Sequence, residues 1–146
     1  MLLDGVRLVD ATFHKSAEQW WLFANGAAGE GGGFNDELHL FHARGLLEQW
    51  QPHARNPVRS DARCARPAGA LYWRNGALYR PAQICVPRYG AGIVLNRVLR
   101  LTPETYAERA VGRIAPPPGS GLLGLHTVNR AGPLTMLDVL ARRRRL

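Results

Sequence analysis

Arg66-Pro67-Ala68-Gly69-Ala70-Leu71-Tyr72-Trp73-Arg74-Asn75-Gly76-Ala77-Leu78-Tyr79-Arg80-Pro81-Ala82-Gln83 carries Asn-Gly at its centre and an Arg-Pro step toward each end. Asn-Gly suits the two central positions of a type I′ turn, where both residues need positive φ, and aromatic and aliphatic residues flank it on either side. A two-residue β-hairpin follows. Proline lacks a ladder donor and belongs at strand starts or edges, so each arginine is expected where a strand begins or stops. The hairpin then brings Arg66 and Arg80 together at the pole opposite its tip. Arginine stems also lie along aromatic rings with their heads in water, so a purely structural role stays open for both.

Working outward, residues 9–13 and the aromatic run at 19–24 read as two strands of a hairpin. The glycine-rich run at 26–33 lacks a following Lys-Ser/Thr and reads as a flexible loop, not a phosphate cradle. Residues 37–42 alternate polar with apolar, the pattern of a strand with one wet face. A short turn with an apolar anchor follows at 46–50, and 51–60, with two prolines, reads as a loop crossing between sheets. Residues 93–101 alternate as a further strand. Thr102-Pro103-Glu104 has a capping residue, a first-turn proline and an acid suited to a helix N-terminus, so one short helix is expected through about residue 110. The Pro/Gly-rich stretch 116–121 ends regular structure, and 125–128 with 134–140 form a last pair of strands. Trp20, Trp21, Trp50 and Trp73 are expected in the sheet cores. Short strands at near-regular spacing favour a mainly β sandwich, barrel or propeller.

The chain has 146 residues and a net charge of +8, enough length for one compact domain. Its cations are almost all arginine and are scattered through strand-like and loop segments, with one block at Arg142-Arg143-Arg144-Arg145. No recognition helix or RNA-stacking motif accompanies them, so the charge reads as compositional, without a nucleic-acid partner. Cys64 and Cys85 lack metal-type spacing and read as a reduced, buried pair; neither a metal nor another cofactor is expected. There is no signal-like N-terminus and no apolar run of transmembrane length, so the expectation is a soluble, cytoplasmic protein without a membrane span.

Asp10-Ala11-Thr12-Phe13, Trp20-Trp21-Leu22-Phe23, Leu38-His39-Leu40-Phe41-His42, Trp50-Gln51-Pro52-His53-Ala54-Arg55-Asn56-Pro57-Val58, Arg66-Pro67-Ala68-Gly69, Tyr79-Arg80-Pro81-Ala82-Gln83, Tyr89-Gly90 and Gly124-Leu125-His126-Thr127 follow one another. In that order they resemble the propeller-like domain at the N-terminus of plant glucosamine inositolphosphorylceramide transferases and related bacterial proteins. That domain is similar to the five-bladed β-propeller of family 43 glycoside hydrolases. The resemblance implies about three later blades of such a propeller over residues 1–141, followed by a basic tail at 142–146. Open sheet edges would then favour self-association or pairing with missing blades.

In these folds, residues that start each blade's innermost strand point into a central cavity holding a sugar. The resemblance therefore implies that Asp10, Arg66, Arg80, Gln83 and His126 bind a sugar or glycan. Arginine and glutamine supply directed hydrogen bonds to hydroxyls, and an acidic or phosphorylated sugar would suit the two arginines. For Asp10 and His126 the alternatives are a backbone-bonding strand end and a satisfied core residue, and His53 and Asn56 read as turn-stabilising. Glycosidases of this architecture use paired carboxylates, and only Asp10 sits in a cavity-type motif, so catalytic residues are not identified. The leading expectation is a carbohydrate-recognising module that works with a glycosyltransferase partner. The alternatives are a glycosidase-like hydrolase with its acid and base in other blades, or a non-functional piece of a longer gene product.

Overall fold

The computed structural model describes residues 3–27 and 33–142, so most of the expected glycine loop and most of the basic tail lie outside the described residues. The chain forms a meander of β1 (Leu8–Lys15), β2 (Trp20–Gly26), β3 (Glu37–Ala43) and β4 (Gln51–Pro52), with β5 (Arg59–Ser60) also on β3. A second meander contains β6 (Tyr72–Arg74), β7 (Ala77–Ile84), β8 (Gly92–Leu101) and β9 (Tyr106–Ile114). Two small antiparallel pairs complete the fold: β10 (Leu122–Gly124) with β13 (Leu140–Ala141), and β11 (Val128–Ala131) with β12 (Leu134–Leu137). The fold is thus mainly β, in several antiparallel sheets. No described helix is long and apolar enough to cross a membrane.

The Asn-Gly hairpin forms as expected. Asn75 and Gly76 have φ of 50° and 71°, and Tyr72, Trp73 and Arg74 pair with Tyr79, Leu78 and Ala77. Both central residues occupy the left-handed region that a type I′ turn requires. The first hairpin and β3 also appear where sequence periodicity places them.

Three expectations about which elements form and pair need correction. No helix follows Thr102: Thr102 N donates to Thr105 O at 2.9 Å and Thr105 N to Thr102 Oγ1 at 3.0 Å, closing a turn into β9. The capping residues serve that turn, and pairing with β8 overrides local propensity because it places Tyr106 and Glu108 on the core face. Residues 51–60 stay on the edge of β3 instead of crossing between sheets. There the Asn56 amide bonds both Leu40 N (2.9 Å) and Leu40 O (2.7 Å), standing in for a missing strand. Finally, the terminal segment splits into two pairs, β11 with β12 and β10 with β13, and does not form one hairpin of 125–128 with 134–140.

Arg80 lies inside β7, not at its end. Proline is tolerated next to it because β6 stops at Tyr72, opposite Tyr79, and the segment at 66–68 takes over that side of β7. Ala68 N donates to Pro81 O at 3.1 Å and Gln83 N to Arg66 O at 2.7 Å, so the proline nitrogen falls at the gap between two partners.

The two meanders pack through Trp21, Phe23, Leu38, Leu40 and Ala65, with Leu101 and Tyr106 against them. Phe23 and Tyr106 meet edge to face at 6.0 Å. Burying each large apolar side chain contributes about 1.5–3 kcal/mol. Ile93, Ala68, Leu125 and Val128 form a separate core where the C-terminal segment covers the other face of the second meander. Trp21 and Trp50 are core residues, whereas Trp73 is 65% exposed and does not share that role.

A buried ion pair lies within the first of these cores. Arg80 is fully buried, and its guanidinium donates to both Glu108 oxygens, at 2.8 and 2.7 Å, and to the Ala65 and Cys64 carbonyls, at 3.1 and 2.6 Å. Tyr106 adds its hydroxyl to Glu108 at 2.6 Å. Burial opposes the Arg80 charge, but Glu108 and Tyr106 outweigh it and hold the guanidinium above its ordinary pKa. Burial pushes the Tyr106 phenol up, with Arg80 opposing.

Removing one partner of such a pair leaves an uncompensated buried charge. Glu108→Ala is therefore expected to destabilise the fold by about 3–5 kcal/mol in urea denaturation, and the double replacement Arg80→Met/Glu108→Leu to recover much of the loss. Burial also lowers the pKa of His14, His42 and His53 below the ordinary 6.5, with Glu104 opposing at His42 and the Thr102 carbonyl among the opposing groups at His53. A histidine with a depressed folded pKa contributes stability that is present above its unfolded value and is lost as pH falls below it. The midpoint of thermal unfolding should consequently drop between about pH 7 and about pH 5.5, and a flat profile there would contradict this assignment.

Candidate functional site

Three of the five residues singled out from the sequence, Asp10, Gln83 and His126, line one cavity, and Arg66 stands beside it on Asp10. Asp10 sits in β1 at a register shift between Val9 and Thr12, with φ of 53°. A left-handed conformation in a non-glycine strand residue is uncommon, and here it marks a bulge that redirects the carboxylate. Arg66 Nε donates to Asp10 Oδ2 at 2.6 Å, and Gln83 Nε2 donates to the same oxygen at 3.1 Å. Arg66 also donates to Phe34 O (2.7 Å) and Asn35 Oδ1 (2.9 Å). Two chain segments distant in sequence are thereby tied to one carboxylate, and Arg66 ties in a third at Phe34 and Asn35.

Beside them runs a stack. The Arg66 guanidinium carbon lies 4.7 Å from the Tyr89 ring centroid, and that ring packs on His126 at 4.8 Å. Gly90, with φ of 67°, is required here because a Cβ at this position would run into the His126 ring. Asp138 closes the far side: its Oδ1 accepts from His126 N (2.8 Å) and Thr127 N (2.6 Å). Partial burial pushes the Asp138 carboxyl up, but the Thr127 and His126 backbone donors outweigh it and hold it below its ordinary pKa.

The cavity between these groups has a volume of about 350 Å³ and is lined among others by Asp10, Thr12, Gln83, Tyr89, His126 and Asp138. That is the size range of a small-ligand site with a few convergent polar groups. A depression of about 410 Å³ beside Trp73, His14 and Arg97 lies elsewhere, on the hairpin side of the second meander.

Arg80 does not join the cavity. Side chains alternate along a strand, so Arg80 and Gln83, three residues apart on β7, point to opposite faces. Gln83 meets Asp10, whereas Arg80 is sealed between the sheets on Glu108. The expected convergence of two arginines is thus replaced by one cavity-side arginine and one core arginine. Sequence reasoning missed Glu108 because it fell in the expected helix, and missed Asp138 because it follows an apolar strand with no motif around it. Tyr89-Gly90 was visible as a motif without a role. Cys64 is buried and Cys85 half-buried, both as free thiols, and burial raises both pKa values against the opposition of Arg59 and Arg66, respectively.

Residues 2–116 match the family described as glucosamine inositolphosphorylceramide transferase 1, N-terminal. The chain is 37% identical over 103 residues to glucosamine inositolphosphorylceramide transferase 1 of rice (Oryza sativa subsp. japonica) and 32% identical over 103 residues to that of Arabidopsis thaliana. Each match covers 69% of this chain and 14% of the plant protein, so the chain spans a small part of the length of these relatives. No solved structure matches it. The matched residues include Asp10, Arg66, Gln83 and Tyr89, while His126 and Asp138 lie beyond them, and on this match the chain belongs to the N-terminal family of glucosamine inositolphosphorylceramide transferase 1.

Proposed function

We propose that this chain is a carbohydrate-recognising section of a propeller-like module that serves glycosyl transfer without breaking bonds itself. The observation that carries the reading is the cavity built on Asp10, Gln83 and His126, whose polar groups come from three separate units of the fold. Asp10 belongs to the first strand of its meander, Arg66-Pro67 leads into the second, and His126 precedes β11. This is the disposition expected of blades around a shared axis, and two successive antiparallel meanders, one five-stranded with β5 beside β4 on β3 and one four-stranded, are consistent with blades. Exposed Leu134, Met136 and Val139 on the terminal segment would suit contact with further blades or another chain.

The relatives are named glucosamine inositolphosphorylceramide transferases, which supports placing this module beside a glycosyltransferase domain, in the same chain or another. Hydrolysis is less well supported. A glycosidase needs one carboxyl kept protonated as the acid, yet Asp10 is paired with Arg66 and Asp138 is held ionised by two backbone donors.

Isothermal titration against a panel of monosaccharides and short glycans tests the reading. Asp10→Gly keeps the left-handed backbone while removing the carboxylate, and should weaken sugar binding by about 1.5–3 kcal/mol, the range for a charge-assisted hydrogen bond. Its effect on folding should stay within about 1 kcal/mol, because the Arg66–Asp10 pair is partly exposed. Saturable binding that Asp10→Gly leaves unchanged would move the site elsewhere.

A further inference from the structure

Within the carbohydrate reading above, on which this proposal rests, the cavity wall shows what kind of sugar it can take. The chain carries a net charge of +8, yet the carboxylates of Asp10 and Asp138 line the cavity and, among the described residues, no arginine or lysine does. Arg66 stands behind Tyr89, with its donors directed to Asp10, Phe34 O and Asn35. Gln83 adds a second, independent sign. Its amide nitrogen donates to Asp10 Oδ2 and Pro67 O, which fixes the orientation of the amide, and its Oε1 is buried without a hydrogen-bond partner. Asp138 also faces the cavity: its Oδ1 takes two backbone donors, and its half-exposed Oδ2 lies 3.7 Å from His126 Nδ1, an ion-pair contact only when that ring is protonated. The wall therefore presents acceptors and negative charge.

We infer that the cavity takes an uncharged, polyhydroxylated sugar, and that Asp138 sets its selectivity against sugars bearing a carboxylate or phosphate. Hydroxyl groups are donors and complete the open valences of Gln83 Oε1, Asp10 and Asp138. An anionic substituent would bring like charge against Asp138, and against Asp10 to the extent that Arg66 leaves its charge uncompensated, which is selection by repulsion as well as by contact. This reverses the expectation of an acidic or phosphorylated ligand, which depended on two arginines reaching the cavity. Thr127 N and His126 N also tie Asp138 to the Tyr89 stack, so the selective group and the ring beside the ligand are positioned together.

The test uses matched sugars titrated into the whole chain at about 0.15 M salt, where long-range attraction from the net positive charge is screened. The probes are the methyl glycosides of glucose, galactose and mannose, each beside its uronate and its 6-phosphate. Wild type should favour the neutral member of the best-bound pair by at least about tenfold. Asp138→Asn keeps an acceptor for the two backbone donors but turns the other carboxylate oxygen into a donor, so it should narrow that ratio severalfold, with some loss for the neutral member as well. Near-UV circular dichroism checks that the variant is folded, and the wild-type ratio decides the matter alone if it is not. Equal or tighter binding of the anionic member by wild type would overturn the inference and leave the carbohydrate reading standing. A folded Asp138→Asn with an unchanged ratio would remove Asp138 from the selectivity. Absence of binding by every member at millimolar concentration would overturn the carbohydrate reading and this inference with it.

Discussion

The fully buried contact between Arg80 and Glu108 is the constraint around which the rest of the structure is arranged. A guanidinium removed from water must have its donors satisfied, and here a bidentate carboxylate and two carbonyls do so. The carbonyls belong to Cys64 and Ala65, in the connection between the two meanders. Satisfying Arg80 therefore fixes where that connection passes over β7. Tyr106 extends the polar contact into the apolar core by packing its ring on Phe23 and its hydroxyl on Glu108.

From that fixed connection the cavity follows. The residues immediately after Ala65 are Arg66 and Pro67, so anchoring the Ala65 carbonyl on one face of β7 delivers Arg66 to Asp10 and Pro67 O to Gln83 on the other. The strand alternation that sends Arg80 inward sends Gln83 outward. One strand thus carries a structural cation on one side and a cavity-lining amide on the other. The two arginines look alike in sequence because each precedes a proline, and they differ only in the face their backbone position assigns.

Much of the first half was legible before the structure. The Asn75-Gly76 turn and the 9–13/19–24 hairpin rest on local rules: positive φ at two successive residues, and aromatic strands with one buried face. The resemblance to the family placed Asp10, Arg66, Arg80, Gln83 and His126 at one cavity, and the structure brings them together except for Arg80, which lies in the core. Failures came where partners distant in sequence decide. Thr102-Pro103-Glu104 has helix-start chemistry, but an open β8 edge and the need for Glu108 opposite Arg80 select a strand. Asp138 had no local signature, since its role comes from backbone donors at His126 and Thr127, on another segment.

Nitrogen-15 NMR of the whole chain during titration with a neutral methyl glycoside tests the division between core arginine and ligand-facing cavity most directly. The expected result is saturable shifts in the Gln83 side-chain amide and in the Asp10, His126 and Asp138 backbone amides, while the Arg80 Nε–H stays unshifted and slow to exchange with solvent. Shifts concentrated at Arg80, or around Trp73 and Arg97 with Gln83 unmoved, would contradict it.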